Sequence, residues 1–343
     1  MHSAVPPWSP FVTNTALLID AGRKPLSAAK SEAAGFSTSR QVWVQRRRLM
    51  ETQKAQFGPD GPRSLWRNRI FSAGLSSLYG GVRFFGLDGR GRRNALDVRL
   101  VTRSISFPDL PQSFDSYRIL HLSDTHLDCL PELATVAASL LAGIEVDLLA
   151  LTGDIHGDHR APVSASIGPL AEAIKGVRVK DRRLAVLGNH DPADMAEALE
   201  GLGFEVLLNE STVLSRRDEH IGVTGLDDVH RFFTPNALDA LSGSAGGFRL
   251  ALVHSAEVAD YASAAGYALY LCGHTHGGQI CLPSGRPIIT HLLRCRHGSV
   301  GLWREGNMIG YTSRGLGVGD VPLRFNCRGE IAVITLRQPV QAS

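Results

Sequence analysis

The sequence predicts an α/β domain that contains mixed β-sheets. Several apolar runs end in small, acidic or histidine residues, namely RILHLSD, DLLALTGD, RLAVLGNH, FRLALVHS and YALYLCGH. Such runs are typical of buried strands. Helix-like stretches lie between several of them, namely LPELATVAASLLAGI, SIGPLAEAIKGV and DPADMAEALEGLG. Strand and helix in alternation predict an α/β fold.

Two later stretches predict a second sheet. TVLSRRDEHIGVTGL and IAVITL have strand character but no helix-like stretch beside them. We therefore expect both to belong to a second sheet, stacked against the first.

Composition limits the function classes. The 343 residues are 43% hydrophobic, enough for one or two full-sized cores. The formal net charge of +3 is too small to indicate a specific nucleic-acid partner. The cysteines are odd in number and lack paired spacing, which favours a reducing, cytoplasmic setting over a disulfide framework. Cys272 and Cys281 flank a histidine cluster, so they are either buried apolar residues or neighbours of a metal.

The first 114 residues differ in character from the rest. Residues 1–65 are rich in Pro, Ser, Ala and Arg and are predicted to form a disordered arm, in which the run 46–48 of three arginines is solvated. Within 66–114, the stretch 66–87 shows apolar residues at helical spacing beside basic ones. This amphipathic helix could lie in a membrane interface or pack on the α/β domain, and its glycines favour packing. The chain has no run of about 20 apolar residues and no secretory signal.

Candidate metal ligands follow the first predicted strands. Asp124 and His126 come directly after RILHLS, and their spacing of two lets both side chains point at one ion. Asp154 follows DLLALTG, where Gly153 has no side chain to obstruct a metal. A carboxylate with imidazoles suits Mn, Fe or Zn, and a carboxylate can bridge two cations.

Further candidates follow the later strands. Asn189 in GNHD offers an amide oxygen, and His190 beside it is free to donate a proton. His254 ends FRLALVH, and His274 and His276 follow YALYLCG. Ligands at successive strand ends meet at one edge of an open α/β sheet, so a two-metal site is predicted there.

The ordered blocks DTH, GD, GNHD, the isolated His254 and GHTHGGQ resemble those of the calcineurin-like metallophosphoesterase family. The resemblance covers residues 115–337, leaving 338–343 as a tail. It implies a four-layer α/β/β/α sandwich of two mixed sheets flanked by helices. It also implies two divalent ions, Mn, Fe or Zn. One would be held by Asp124, His126, Asp154 and His276, and the other by Asp154, Asn189, His254 and His274.

The resemblance also implies a reaction, the hydrolysis of a phosphate ester. Two cations would lower the pKa of a shared water and orient an in-line attack on phosphorus, and His190 would protonate the leaving oxygen. Many relatives read GDxxD, whereas this chain reads GDIHGD. Asp158 or Asp191 could therefore orient His190, and His156 could meet substrate or solvent.

The segment YTSRGLGVGDVPLRFNCRGEIAVITL resembles the closing part of a bacterial branch with membrane-associated phosphodiesterases and lipid A precursor pyrophosphatases. It implies a phosphodiester or pyrophosphate substrate, such as the nucleotide-linked lipid UDP-2,3-diacylglucosamine, and a peripheral membrane contact. Arg314 would bind phosphate or form a structural ion pair. The alternatives are a nuclease, a cyclic-nucleotide phosphodiesterase and a non-catalytic scaffold, and the oligomeric state stays open.

Overall fold

A computed structural model describes residues 28–53, 57–62, 74, 77, 79–243, 246–319 and 321–339. The chain divides at residue 44 into two compact units. The described part of the first unit, residues 28–43, is helical. The second unit contains both large sheets.

The first sheet carries the earliest candidate ligands. In spatial order, its six strands among the described residues are β3 (Arg99–Ser106), β14 (Glu330–Arg337), β4 (Arg118–Leu122), β5 (Glu145–Thr152), β6 (Arg178–Val186) and β7 (Glu205–Val206). Strands β4, β5, β6 and β7 run parallel, whereas β14 is antiparallel to β4 and parallel to β3.

The second sheet carries the later candidate ligands. In spatial order, its described strands are β12 (Gly301–Glu305), β13 (Met308–Thr312), β11 (Leu269–Cys272), β10 (Arg249–Leu252), β9 (Glu219–Gly225) and β8 (Glu210–Arg216). The central strands β9, β10, β11 and β13 run parallel, and each edge strand is antiparallel to its neighbour.

The main core fills the space between the two sheets. Alternate residues of β5, such as Leu148 and Ala150, pack with Leu250 and Leu252 of β10, because successive side chains of a strand point to opposite faces. A second core on the outer face of the second sheet includes residues of α6 and α7. The helices are α2 (Asp88–Leu96), α3 (Glu132–Leu141), α4 (Ser164–Ile174), α5 (Asp194–Glu200), α6 (Asn236–Ser242) and α7 (Ala259–Ala264). The predicted α/β class with two mixed sheets is confirmed.

The prediction for IAVITL is wrong in one respect. These residues form β14, which lies in the first sheet between β3 and β4 instead of in the second sheet. The first five residues of β14 are all buried, so the strand needs an interior position with neighbours on both edges. Strand β3 also shows that the first sheet begins before residue 115.

The predicted disordered arm contains regular structure in its described part. Helix α1 spans Ala28–Thr52, and a short hairpin joins β1 (Phe57–Gly58) to β2 (Gly61–Pro62). Residues 1–27, 54–56 and 63–65 lie outside the described residues. The prediction that all three arginines at 46–48 are solvated is wrong for Arg47, which is only 1% exposed.

The predicted amphipathic stretch 66–87 is described only in part. Residues 79–84 are helical, whereas Ile70, Phe71, Leu75 and Leu78 lie outside the described residues. Phe84 and Phe85 expose 86% and 73% of their surface. Among the described residues, no helix combines the length and apolarity needed to cross a bilayer.

Candidate two-metal site

Seven candidate ligands meet where strands of both sheets end. Strands β4, β5 and β6 of the first sheet lead to four of them, and β10 and β11 of the second sheet lead to the other three. The structure brings together Asp124, His126, Asp154, Asn189, His254, His274 and His276.

Glycines allow these strand ends to approach one another closely. A Cβ atom on Gly153 would lie 2.5 Å from the backbone nitrogen of Gly188, and Gly153 has a φ of +85°. A Cβ atom on Gly273 would lie 2.1 Å from Oδ2 of Asp124. Any side chain at either position would therefore push two ligand-bearing loops apart.

Five of the ligands have left-handed backbone conformations. This region is unfavourable for residues with a Cβ atom, at a cost of roughly 1–2 kcal/mol each. Such conformations persist only where the surrounding structure enforces them. Their φ values are +48° at Asp124, +36° at His126, +53° at Asp154, +73° at His274 and +50° at His276.

We call Asp124, His126 and His276 the first ligand group. All three are buried, and their donor atoms lie within 4.8 Å of one another. Nε2 of His276 is 3.6 Å from Oδ1 of Asp124. Nε2 of His126 is 3.7 Å from Oδ2 of Asp154, so Asp154 also faces this group.

The second ligand group consists of Asp154, His254, His274 and Asn189. Nε2 of His254 lies 3.3 Å from Oδ2 of Asp154 and 3.1 Å from Oδ1 of Asn189. The same nitrogen is 3.2 Å from Nδ1 of His274. Because Oδ2 of Asp154 faces both groups, Asp154 has the position of a bridging ligand.

Backbone carbonyls fix the tautomers of two histidines. Nδ1 of His126 lies 2.7 Å from the carbonyl oxygen of His156, and Nδ1 of His254 lies 2.9 Å from that of Thr152. A carbonyl can only accept, so each Nδ1 carries a proton and each Nε2 is the nitrogen that faces the site. This is the arrangement that a metal-binding histidine needs.

The buried cluster has strongly perturbed protonation. Burial raises the pKa of Asp124 to about 6 and lowers that of His126 to about 4. Burial also opposes charge on His254, but the carboxylates of Asp154 and Asp124 raise the pKa of His254 to about 10. The carboxylates thus attract positive charge to the centre of the site, as they would attract a cation.

His190 lines the pocket beside the two groups. Its backbone N–H donates to Oδ1 of Asp154 at 2.9 Å, and its Nδ1 is buried without a hydrogen-bond partner among the described residues. Its ring stacks on that of His159, with the ring centroids 4.9 Å apart. His159 was not predicted to lie near the site. It belongs to the irregular stretch GDIHGDH.

The two acids predicted as partners of His190 have other roles. Asp158 is exposed, and its carboxylate accepts from the backbone N–H of Arg160. The carboxylate of Asp191 is buried and accepts backbone N–H groups of Asp154, Ile155, His156 and Gly188. The prediction that Asp158 orients His190 is therefore not supported, because its carboxylate is bonded within its own loop.

The side chains of His156 and Arg314 bond to residues other than the candidate ligands. Nδ1 of His156 is 2.8 Å from Oγ of Ser166, so this ring is turned away from substrate and solvent. The guanidinium of Arg314 donates to the buried carboxylate of Glu330 at 2.9 Å. The structure thus favours the ion-pair alternative for Arg314 over phosphate binding.

A pocket opens over the second ligand group. Its lining combines the polar residues Asp154, Asn189 and His190 with apolar residues. His230 and His291 also line the pocket. They were not predicted from the sequence, because an isolated histidine carries no pattern. The apolar residues that line the pocket are Ile280, Ile288, Ile289 and Val321.

Comparison with known proteins agrees with this geometry. The sequence model of the family described as Calcineurin-like phosphoesterase matches residues 117–278. The chain is 33% identical over 259 residues to the uncharacterized metallophosphoesterase YkuE of Bacillus subtilis strain 168, covering 70% of this chain and 86% of that protein. This chain belongs to the calcineurin-like phosphoesterases.

Two other relatives agree with this assignment. Phosphodiesterase YaeI of Escherichia coli strain K12 is 30% identical over 234 residues, covering 64% of this chain and 82% of that protein. The uncharacterized metallophosphoesterase YkoQ of Bacillus subtilis strain 168 is 28% identical, covering 71% of this chain and 92% of that protein. As a calcineurin-like phosphoesterase, the chain is a metal-dependent phosphoester hydrolase, which confirms the family predicted from the motifs.

The residues present fit the two divalent metals that this calcineurin-like phosphoesterase requires. Nε2 of His126, the nitrogen that faces Asp154, is buried without a hydrogen-bond partner among the described residues. Burying such groups is unfavourable unless something binds them. Imidazole nitrogens with carboxylate and amide oxygens form a donor set suited to Mn, Fe or Zn.

Proposed function

We propose that this chain hydrolyses a phosphodiester or pyrophosphate that carries an apolar group, such as a nucleotide-linked lipid. The observation that carries the proposal is the mixed lining of the pocket, which contains both polar candidate-site residues and isoleucines. Phosphorus would lie against Asp154, Asn189 and His190, and an alkyl chain would lie against Ile288 and the other apolar lining residues.

The two metals would be Mn, Fe or Zn ions, held by the first and second ligand groups with Asp154 between them. When bound, they supply Lewis acidity that activates water and neutralises phosphate oxygens. His190 would donate the proton that the leaving oxygen needs, because it lines the pocket together with Asp154 and Asn189.

A nuclease is disfavoured by the same pocket. None of the described residues that line it is Lys or Arg. Nucleic-acid binding depends on neutralising several phosphates with basic side chains. The pocket therefore suits a small phosphate group with an apolar substituent better than a polynucleotide.

The decisive assay compares four substrates with protein loaded separately with Mn, Zn or Fe. They are bis-p-nitrophenyl phosphate, p-nitrophenyl phosphate, a UDP-linked diacyl sugar and its deacylated form. We expect the diester to exceed the monoester, and the acylated sugar to exceed the deacylated one by about tenfold or more in kcat/KM, since several buried CH₂ groups contribute about 0.8 kcal/mol each. Equal rates for both sugars would contradict the apolar subsite.

Two variants locate that subsite. Ile288 is 51% exposed at the pocket, and Leu302 is 49% exposed on β12. Ile288→Asp should remove the preference for the acylated sugar, whereas the matched control Leu302→Asp should retain it. Loss of the preference in both variants would indicate a general effect of added charge.

Two further variants test the roles at phosphorus. Asp154→Ala should lose both ions by elemental analysis, together with activity, because Asp154 faces both groups. His190→Ala should keep both ions while kcat falls by about 10²- to 10⁴-fold, with a smaller loss for p-nitrophenolate leaving groups that need no proton. Two ions retained by Asp154→Ala would disprove the bridge.

We also propose a peripheral membrane contact through Phe84 and Phe85. Their exposed rings follow Arg83, and exposed aromatic residues beside basic ones suit the interface of an anionic bilayer. Phe84→Ser/Phe85→Ser should lose sedimentation with phosphatidylglycerol vesicles. Val213→Ser on β8, where the side chain is 51% exposed, is the matched control. Undiminished sedimentation of the double variant would contradict the contact.

A further inference from the structure

Arg47, near the end of α1, reaches the loop that carries Asn189 and His190. Its guanidinium donates to the carbonyl oxygen of Gly188 at 2.8 Å and to that of Asp191 at 2.7 Å. These two carbonyls flank the ligand and the proposed proton donor. The Arg47 side chain thus donates to both ends of the turn 188–191.

The same guanidinium joins this loop to the second sheet. It forms an ion pair with Asp227, which follows β9 and is 5% exposed. It also lies over the ring of Phe232, 3.9 Å from the ring centroid. Asp227 is itself fixed, because its backbone N–H donates to Oδ1 of Asn209 at 3.1 Å.

Neighbouring residues of α1 support the contact. The carboxylate of Glu51 accepts the backbone N–H of Ala193 at 2.7 Å, just beyond the loop. Arg231 reaches the carbonyl oxygens of both Asn189 and Glu51, each at 3.5 Å. The end of α1 is therefore attached on both sides of the turn 188–191.

We propose that Arg47 is a positioning residue of the active site, which sets the separation between Asn189 on the first-sheet side and His254 on the second-sheet side. This inference rests on the two-metal site proposed above. A planar guanidinium can bridge two carbonyls and a carboxylate at once, which a lysine ammonium cannot do with the same geometry. The segment before the catalytic domain thereby becomes part of the site.

The test uses metal binding, because it needs no substrate. Arg47→Lys keeps the charge against Asp227, and Arg47→Ala/Asp227→Asn removes the charged pair together, so neither variant leaves a lone buried charge. Arg46→Ala, at an exposed position, is the control. Calorimetric titration of the metal-free full chain with Mn should show one of its two binding events weakened by about 10- to 100-fold in both Arg47 variants. The control should match the natural protein.

Asn189→Ala identifies the event that belongs to the second ligand group. We expect the Arg47 variants to weaken that same event and to lower kcat with little change in KM, since a displaced His190 affects the reaction more than binding. If the natural protein binds fewer than two ions, the proposed function fails. If it binds two and the folded Arg47 variants bind both with unchanged affinity, the positioning role is overturned and Arg47 serves stability alone.

Discussion

Two buried arginines donate to backbone carbonyls next to the two ligand groups, one arginine beside each group, and they come from different parts of the chain. Arg324, which is 0% exposed, donates to the carbonyl oxygens of His276, Gly315 and Gly317, next to the first ligand group. Arg47 holds the loop of the second group in the same manner. Arg324 lies between β13 and β14, whereas Arg47 lies in α1, which precedes every strand of the two large sheets.

Their charge environments differ as well. Arg47 has the carboxylate of Asp227 in direct contact. The guanidinium of Arg324 is satisfied by carbonyls and by Sγ of Cys327 at 3.7 Å, and burial lowers its pKa. The comparison teaches that a metal site of this kind is shaped as much by donors to its backbone as by its ligands.

The largest expected effect is on the stability of the Arg324→Met variant. This change leaves several buried carbonyls without donors, at about 1–3 kcal/mol each. We expect the free energy of unfolding to fall by about 3 kcal/mol or more, measured by urea denaturation with tryptophan fluorescence. If Arg324→Met lowered the free energy of unfolding by less than Arg47→Ala/Asp227→Asn does, Arg324 would not be the more important of the two arginines for stability.

A smaller effect is expected for Arg314→Ala. Arg314 neighbours Arg324 and pairs with Glu330, but its side chain is 39% exposed. We expect a loss of about 1 kcal/mol in stability and a change of less than about threefold in kcat/KM, because the Glu330 carboxylate keeps the hydrogen bonds donated by the Tyr311 hydroxyl and the backbone N–H of residue 314. A loss of activity approaching that of His190→Ala would return Arg314 to the substrate site.

The smallest effect is expected for Asp158→Asn. The carboxylate is exposed and accepts only from Arg160 among the described hydrogen bonds. Activity should stay within about twofold of that of the natural protein at every pH from 5 to 9, since such surface changes are usually near neutral. A shifted pH profile would instead indicate a role for Asp158 beside His190.

The meeting of the candidate ligands was predictable from the sequence because each follows a strand of strong apolar pattern. Their side-chain types also match the donors that divalent metals bind. Both features are local. The place of β14 was not predictable, since pairing with β3 and β4 joins residues more than 200 positions apart in the sequence.

Arg47 could not be predicted as a structural residue for the same reason. A run of three arginines is usually solvated, and nothing local distinguishes Arg47 from Arg46 and Arg48. Its partner Asp227 is 180 positions away. The roles of Asp191 and His159 likewise depend on loops that meet only after both sheets have formed.

Five candidate ligands have left-handed backbone conformations, which lower the stability of the fold. They are Asp124, His126, Asp154, His274 and His276. Glycine would adopt those conformations without penalty, so Asp154→Gly should raise the melting temperature of the metal-free protein while abolishing metal binding. Selection for stability alone would remove these side chains. We therefore expect the metal-free protein to be less stable than a variant with glycine at these positions, and binding of the ions to restore stability.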